Sequence, residues 1–164
     1  MKIARAMVLL FALAFFIVPT ALFAQAGITI KVQRRWRLVL RATDLAGGAG
    51  TGFASVFESA ADEVSVNISK TADPPAAWTV DIRRADSNWD PSVRLYVRRT
   101  SDGTEDPANI WDGTEYQEVT TLDQYFFGGT GDRSKVEIQY KVEGVSMALE
   151  VDTYLTEITY TVTQ

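Results

Sequence analysis

The chain of 164 residues contains no cysteine and no histidine. Without cysteine there is no disulfide to support the fold and no thiol chemistry. Without histidine, the commonest general base and the commonest metal ligand are missing, and so is every Ser-His or Cys-His nucleophile pair. Zinc sites of the usual Cys/His kind are excluded with them. Basic residues are in the minority, 16 against 21 acidic. An acidic chain is a poor partner for nucleic acid, because phosphate neutralisation supplies most of that affinity. There is no internal repeat, no low-complexity linker and only one long apolar run.

That run opens the chain. Lys2 and Arg5 precede an unbroken apolar stretch from Ala6 to Val18, and Pro19 and Thr20 follow it. Ala24-Gln25-Ala26 is a small-x-small cleavage site. Residues 1–26 therefore read as a secretory signal peptide, cut after Ala24 or Ala26. The run is shorter than the ~20 residues of a spanning helix. The expectation is a secreted protein, extracellular or at the cell surface, which crosses a periplasm if the envelope is Gram-negative and keeps no integral membrane segment. Removing Lys2 and Arg5 leaves 14 basic against 21 acidic residues, a net charge of −7 for the mature chain. Residues 27–164 are one domain's worth of sequence, long enough to bury a core unaided.

The mature chain alternates with period two almost throughout. Val64, Val66 and Ile68 form one such set, and Trp78, Val80 and Ile82 a second. Val93, Leu95 and Val97 form a third, and Val136, Ile138, Tyr140 and Val142 a fourth. Tyr154, Thr156, Ile158, Tyr160 and Val162 close the chain. Period two puts each set on one face of a sheet. Turn chemistry separates them, in Asp44–Gly52, Ala72–Ala77, Ala85–Ser92, Ser101–Asn109, Trp111–Thr114 and Gly128–Ser134. Helix is expected only as short turns near Ala54–Asp62 and Thr121–Tyr125. The fold class is all-β, an antiparallel immunoglobulin-like (Greek-key) β-sandwich, with a small barrel as competitor.

The first mature stretch is unusually long for a strand. From Ile28 to Leu40 the even positions read Ile28, Ile30, Val32, Arg34, Trp36, Leu38, Leu40. Thirteen residues would span roughly 43 Å, whereas a typical strand has ~5–6 residues. The apolar face breaks at Arg34, so Gln33–Arg35 is expected as a hinge and Trp36–Leu40 as the first core strand. Residues 27–33 then form an N-terminal β-arm. It has two expected fates: folding back onto its own sheet edge, or adding to the edge of a neighbouring copy.

The glycines Gly47, Gly48, Gly50 and Gly52 lack the Lys-Ser/Thr ending of a phosphate loop and read as a flexible connection. Asp102, Glu105 and Asp106, with Asp112 or Asp132, offer oxygens for calcium, but their spacing is not that of an EF-hand. No cofactor is expected beyond that. No catalytic residue is assigned, since no spacing singles out a carboxylate pair of the kind glycoside hydrolysis needs. Trp89, Trp111 and Tyr116 lie among turns, where aromatic rings stack on sugars or anchor interfaces. Trp36 and Trp78 lie in alternating segments and read as core.

The last strand, Val151–Gln164, carries Tyr154 and Tyr160, and the segment Trp78–Val80 has the form W-x-V. With the signal peptide and small all-β body, these resemble secreted bacterial pilin-like and spore-coat-U-like β-sandwich surface proteins. The chain departs from chaperone-assembled pilins in having no disulfide near its first strand. The resemblance implies a non-enzymatic structural role in surface fibres, coats or adhesion. The expected mechanism is self-association by edge-strand pairing of Ile28, Ile30 and Val32, with Ile158, Tyr160 and Val162 as the acceptor edge or last strand. The alternative is an extracellular module that binds surface polysaccharide, or another ligand, through Trp89, Trp111 and Tyr116.

Overall fold

In a computed structural model of the protein, residues 20–21, 27–47, 51–72, 76–104 and 109–164 are described. The sharpest alternation becomes a strand with the expected bounds, Val64–Ser69, whose side chains are buried at every second position. In chain order the strands are β1 (Thr20–Ala21), β2 (Thr29–Gln33), β3 (Val56–Glu58), β4 (Val64–Ser69), β5 (Ala77–Asn88) and β6 (Arg94–Arg99). They continue with β7 (Ile110–Trp111), β8 (Gln117–Glu118), β9 (Gln124–Thr130), β10 (Arg133–Glu143) and β11 (Leu155–Thr163). One 3-10 turn, Ala42–Asp44, interrupts them.

The strands form two sheets. One has the order β1-β11-β5-β9-β7, the other β2-β4-β10-β6-β8, with β3 also pairing to β10. The pairings are antiparallel apart from β1 on β11. One core runs from Ile28 to Val162 and draws on both sheets. Tyr140 of β10 and Tyr160 of β11 bridge them, hydroxyl to hydroxyl at 2.5 Å. Trp36 stacks on Tyr140 with ring centroids 6.0 Å apart and planes 6° from parallel. Phe126 packs beside Tyr160, Phe127 meets Phe126 edge to face at 5.1 Å, and Trp78 meets Phe127 edge to face at 6.0 Å. Such edge-on pairs add stabilisation beyond the area they bury.

Four features depart from the sequence reading. The chain does break at Arg34, which takes a left-handed φ of 70°, but Trp36–Leu40 is not itself a strand. Trp36 and Leu40 are nonetheless buried, so side-chain packing holds the segment in place of a ladder. The expected turn at Ala85–Ser92 is partly strand, because β5 continues to Asn88 along β11. The two expected helical turns are absent: Ala54–Asp62 contains β3, and β9 begins at Gln124.

The fourth departure is β9 itself, whose glycines read as a turn. Gly129 lies opposite Trp78 and Gly128 opposite Trp111. A Cβ on Gly129 would sit 2.5 Å from the Trp78 ring, and one on Gly128 would sit 2.6 Å from the Trp111 indole nitrogen. The adjacent glycines thus let two tryptophans close onto the backbone, one in the core and one at the surface. A bulge between Val80 and Asp81 leaves Phe126 as the extra residue of β9. This lets Phe126 and Phe127, neighbours in sequence, both be buried.

Candidate functional site

The short strand β7 leads into Asp112 and Gly113, both with left-handed φ, 64° and 74°. This corner turns the chain back toward β8 and creates a shallow cleft of about 340 Å³. Asp112, Glu115, Tyr116, Gln117 and Tyr125 line it. The Tyr125 hydroxyl donates to Asp112 Oδ2 at 2.6 Å. Burial, then the Asp112 hydrogen bond and charge, push the Tyr125 pKa up to about 12, against a smaller opposing effect of the Trp111 indole. The phenol therefore stays a donor at neutral pH. The Gln117 amide donates to the Tyr125 carbonyl at 2.9 Å and holds the strand from the other side. Trp111 and Tyr125 both keep about two-fifths of their surface in water, 40% and 43%.

The expected aromatic trio divides. Trp111 flanks the cleft and Tyr116 lines it, but Trp89 stands apart. Its indole N–H donates to the Val93 carbonyl at 2.8 Å, the Arg84 guanidinium covers its ring at 5.2 Å, and the ring packs against the core. Tyr116 is already engaged on its faces, with Arg98 and Lys141 each 4.6 Å from the ring centre. Burial, followed by the negative charge of Glu58, raises its pKa. Tyr125, which in the sequence lies between turn-like segments as Tyr116 does, is not among the expected site residues, yet it is central to the cleft. A period-two reading of Gln124, Phe126 and Gly128 against Tyr125 and Phe127 would have needed the glycines to be strand residues.

The acidic positions among the described residues are each engaged elsewhere. Asp102 pairs with the buried Arg99 guanidinium, which also donates to the carbonyls of Ser101 and Asp112. Asp112 accepts from Tyr125. Asp132 accepts from the Thr71 backbone N–H and hydroxyl, at 3.1 and 2.9 Å. Glu105 and Asp106 lie outside the described residues. Among the described residues no group of three acidic side chains has metal-holding geometry.

The arm lies on its own chain. Thr29–Gln33 runs antiparallel to β4, from Thr29 opposite Ser69 to Gln33 opposite Ser65. Ile28 and Ile30 are buried and Val32 packs against the same core. Ile158, Tyr160 and Val162 are likewise buried. The six apolar side chains expected to serve association are therefore committed to this core, and what they leave for a partner is backbone edge. β2 and β11 lie in contact on the same side of the molecule, each outermost in its sheet apart from β1. The whole of β1 is Thr20–Ala21, in parallel register with Thr159 and Tyr160. These two residues belong to the segment that reads as a leader; the remainder of residues 1–26 lies outside the described residues. No described helix is long and apolar enough to cross a membrane.

No protein-family model matches the chain, and no curated protein matches it either.

Proposed function

We propose that this is a secreted, non-enzymatic structural or adhesive surface protein whose copies join edge to edge into a fibre or coat. One observation carries the reading. Strand β11 spans nine residues, and among the described residues its outer side is matched only at Thr159 and Tyr160, by residues of the leader-like segment. Cleavage after Ala24 or Ala26 removes that cover and leaves a long row of unpaired N–H and C=O groups, which template a further strand. Crossings between the sheets at β4–β5, β5–β6, β9–β10 and β10–β11 support an immunoglobulin-like Greek-key sandwich, and with it the likeness to pilin-like and spore-coat-U-like proteins.

The occupant is a second copy of this chain. β2 carries Lys31, whereas Glu150 and Asp152 precede β11. Opposite signs favour β2 of one copy against β11 of the next. Single pairings leave an open edge at each end and propagate, whereas reciprocal pairing closes a dimer. Light scattering and negative-stain microscopy on the chain from Gln25 test this, beside the same chain carrying Thr161→Lys. The expected result is concentration-dependent assembly that the edge lysine abolishes. Monodisperse monomers for both proteins overturn the reading.

A further inference from the structure

We infer that the cleft between β7, β8 and β9 is a binding site for a neutral saccharide, with Trp111 and Tyr125 as its stacking surface. This rests on a different part of the molecule from the β11 edge and stands or falls separately. Three observations carry it. The first is the pair of rings. Large aromatic side chains are generally buried, yet Trp111 and Tyr125 keep two-fifths of their surface exposed, and the Trp111 indole reaches the Tyr125 hydroxyl. Both are fixed in place, Trp111 closed down onto Gly128 and Tyr125 tied to Asp112 at 2.6 Å. A preorganised aromatic surface binds flat apolar faces at low entropic cost, and the C–H face of a pyranose ring is such a surface.

The second observation is what surrounds the rings. Asp112, Glu115 and Gln117 line the cleft beside Tyr125. Carboxylates and amides accept hydroxyl protons, and a few such groups beside aromatic rings are the usual composition of a small-molecule site. The cleft, at about 340 Å³, lies near the lower end of that class, which begins at about 300 Å³. The third observation is charge. Asp112 and Glu115 line the cleft, and Asp81 acts on Tyr125 from β5. The nearby cations Arg98 and Lys141 are held by Gln139, Glu143 and the Tyr116 ring, so an anionic sugar would chiefly meet carboxylates of its own sign, and uronic acids and sulfated glycans are disfavoured. An organic cation would need ring faces converging around it. Here the Tyr116 ring is already engaged by Arg98 and Lys141, which leaves a flat surface rather than a cage.

The test is titration of the protein with β-1,4-linked glucose and N-acetylglucosamine hexasaccharides, with an oligogalacturonide and choline as controls. Binding is followed by tryptophan fluorescence and amide chemical shifts. The expected result is saturable binding of at least one neutral hexasaccharide with Kd no weaker than about 1 mM. Shifts should centre on Asp112–Gln117 and Tyr125. Trp111→Ala should weaken binding at least about tenfold, about 1.4 kcal/mol. Trp89→Phe, away from the cleft, should leave affinity unchanged. Tyr125→Phe keeps the ring and loses the Asp112 bond, and serves if Trp111→Ala fails to fold. It should weaken binding without abolishing it. No saturable binding of either neutral sugar overturns the inference. So does equal or tighter binding of the oligogalacturonide or choline, or binding indifferent to both Trp111→Ala and Tyr125→Phe.

Discussion

The hydroxyls of Tyr140 and Tyr160 meet at 2.5 Å in the centre of the protein, one from each sheet, and both side chains are fully buried. Each satisfies the other, so removing one leaves its neighbour buried without a partner. Tyr140→Phe or Tyr160→Phe should each destabilise the protein by about 1–3 kcal/mol in urea unfolding at neutral pH. The double Phe variant should lose less than the sum of the two, because it leaves no orphaned polar atom. Strict additivity would show that the bond contributes nothing.

The same pair predicts a response to alkali. Burial, as the largest cause, raises the pKa of both phenols above the ordinary value. Unfolded tyrosines release their protons near about pH 10, whereas the folded pair retains them to higher pH. Above that point the native state binds more protons than the unfolded one. Stability is therefore complete below about pH 10 and falls as pH rises. Urea midpoints measured across this range should decline, and the decline should be shallower in the double Phe variant. A residual slope remains, because Tyr125 is also raised, to about 12. Midpoints that do not move with pH would refute the linkage.

Gly129→Ala should be far more damaging than Gly128→Ala. The Trp78 ring that meets Gly129 is locked in the core, at 1% exposure, and its indole N–H donates to the Gly131 carbonyl at 3.0 Å. The Trp111 ring rests on Gly128 at the surface, so an added methyl pushes it into water rather than into the core. Overpacking of a tight core typically costs about 1–3 kcal/mol, and Gly129→Ala belongs at the top of that range. Gly128→Ala should leave stability nearly intact while displacing Trp111, which its fluorescence would report. Equal losses would mean that the two rings are equally constrained.

How far the chain could be read from its sequence follows from these same positions. Where apolar and polar residues alternate cleanly, as at Val64–Ser69 and Val136–Val142, the strands lie where period two places them. Polar Ala85–Asn88 looks like a turn, because neither face of that end of β5 is buried. Gly128 and Gly129 signal flexibility when read alone, and only the two tryptophans across from them explain a strand there. Without β9 as a strand, the cleft cannot be built from the sequence. Trp111 and Tyr116 were recognisable as loop aromatics, but their relation to Tyr125 depends on β7 pairing with β9. Trp36–Leu40 shows the converse: its alternation buries Trp36 and Leu40, yet the segment is not a strand.

Arg99 should matter more than the acid beside it. Its guanidinium is 4% exposed and reaches Asp102 and the carbonyls of Ser101 and Asp112, whereas the Asp102 side chain is 59% exposed. Truncating a buried charge removes several bonds at once, so Arg99→Ala should destabilise by about 3 kcal/mol. Asp102→Ala leaves Arg99 its two carbonyl partners and admits water where the exposed carboxylate stood, and should lose less, about 1 kcal/mol. Thermal or urea unfolding of the two variants checks the order, and a larger loss at Asp102 would reverse the assignment.

The bond between Tyr140 and Tyr160 joins the two sheets near the middle, where a pair of sulfurs could do the same. A link made of phenols involves no electron transfer. It forms as the chain collapses, needs no oxidant or isomerase, and does not respond to glutathione or to a change of compartment. Strong base opens it and reducing agents do not, so the protein can mature wherever its chain is delivered.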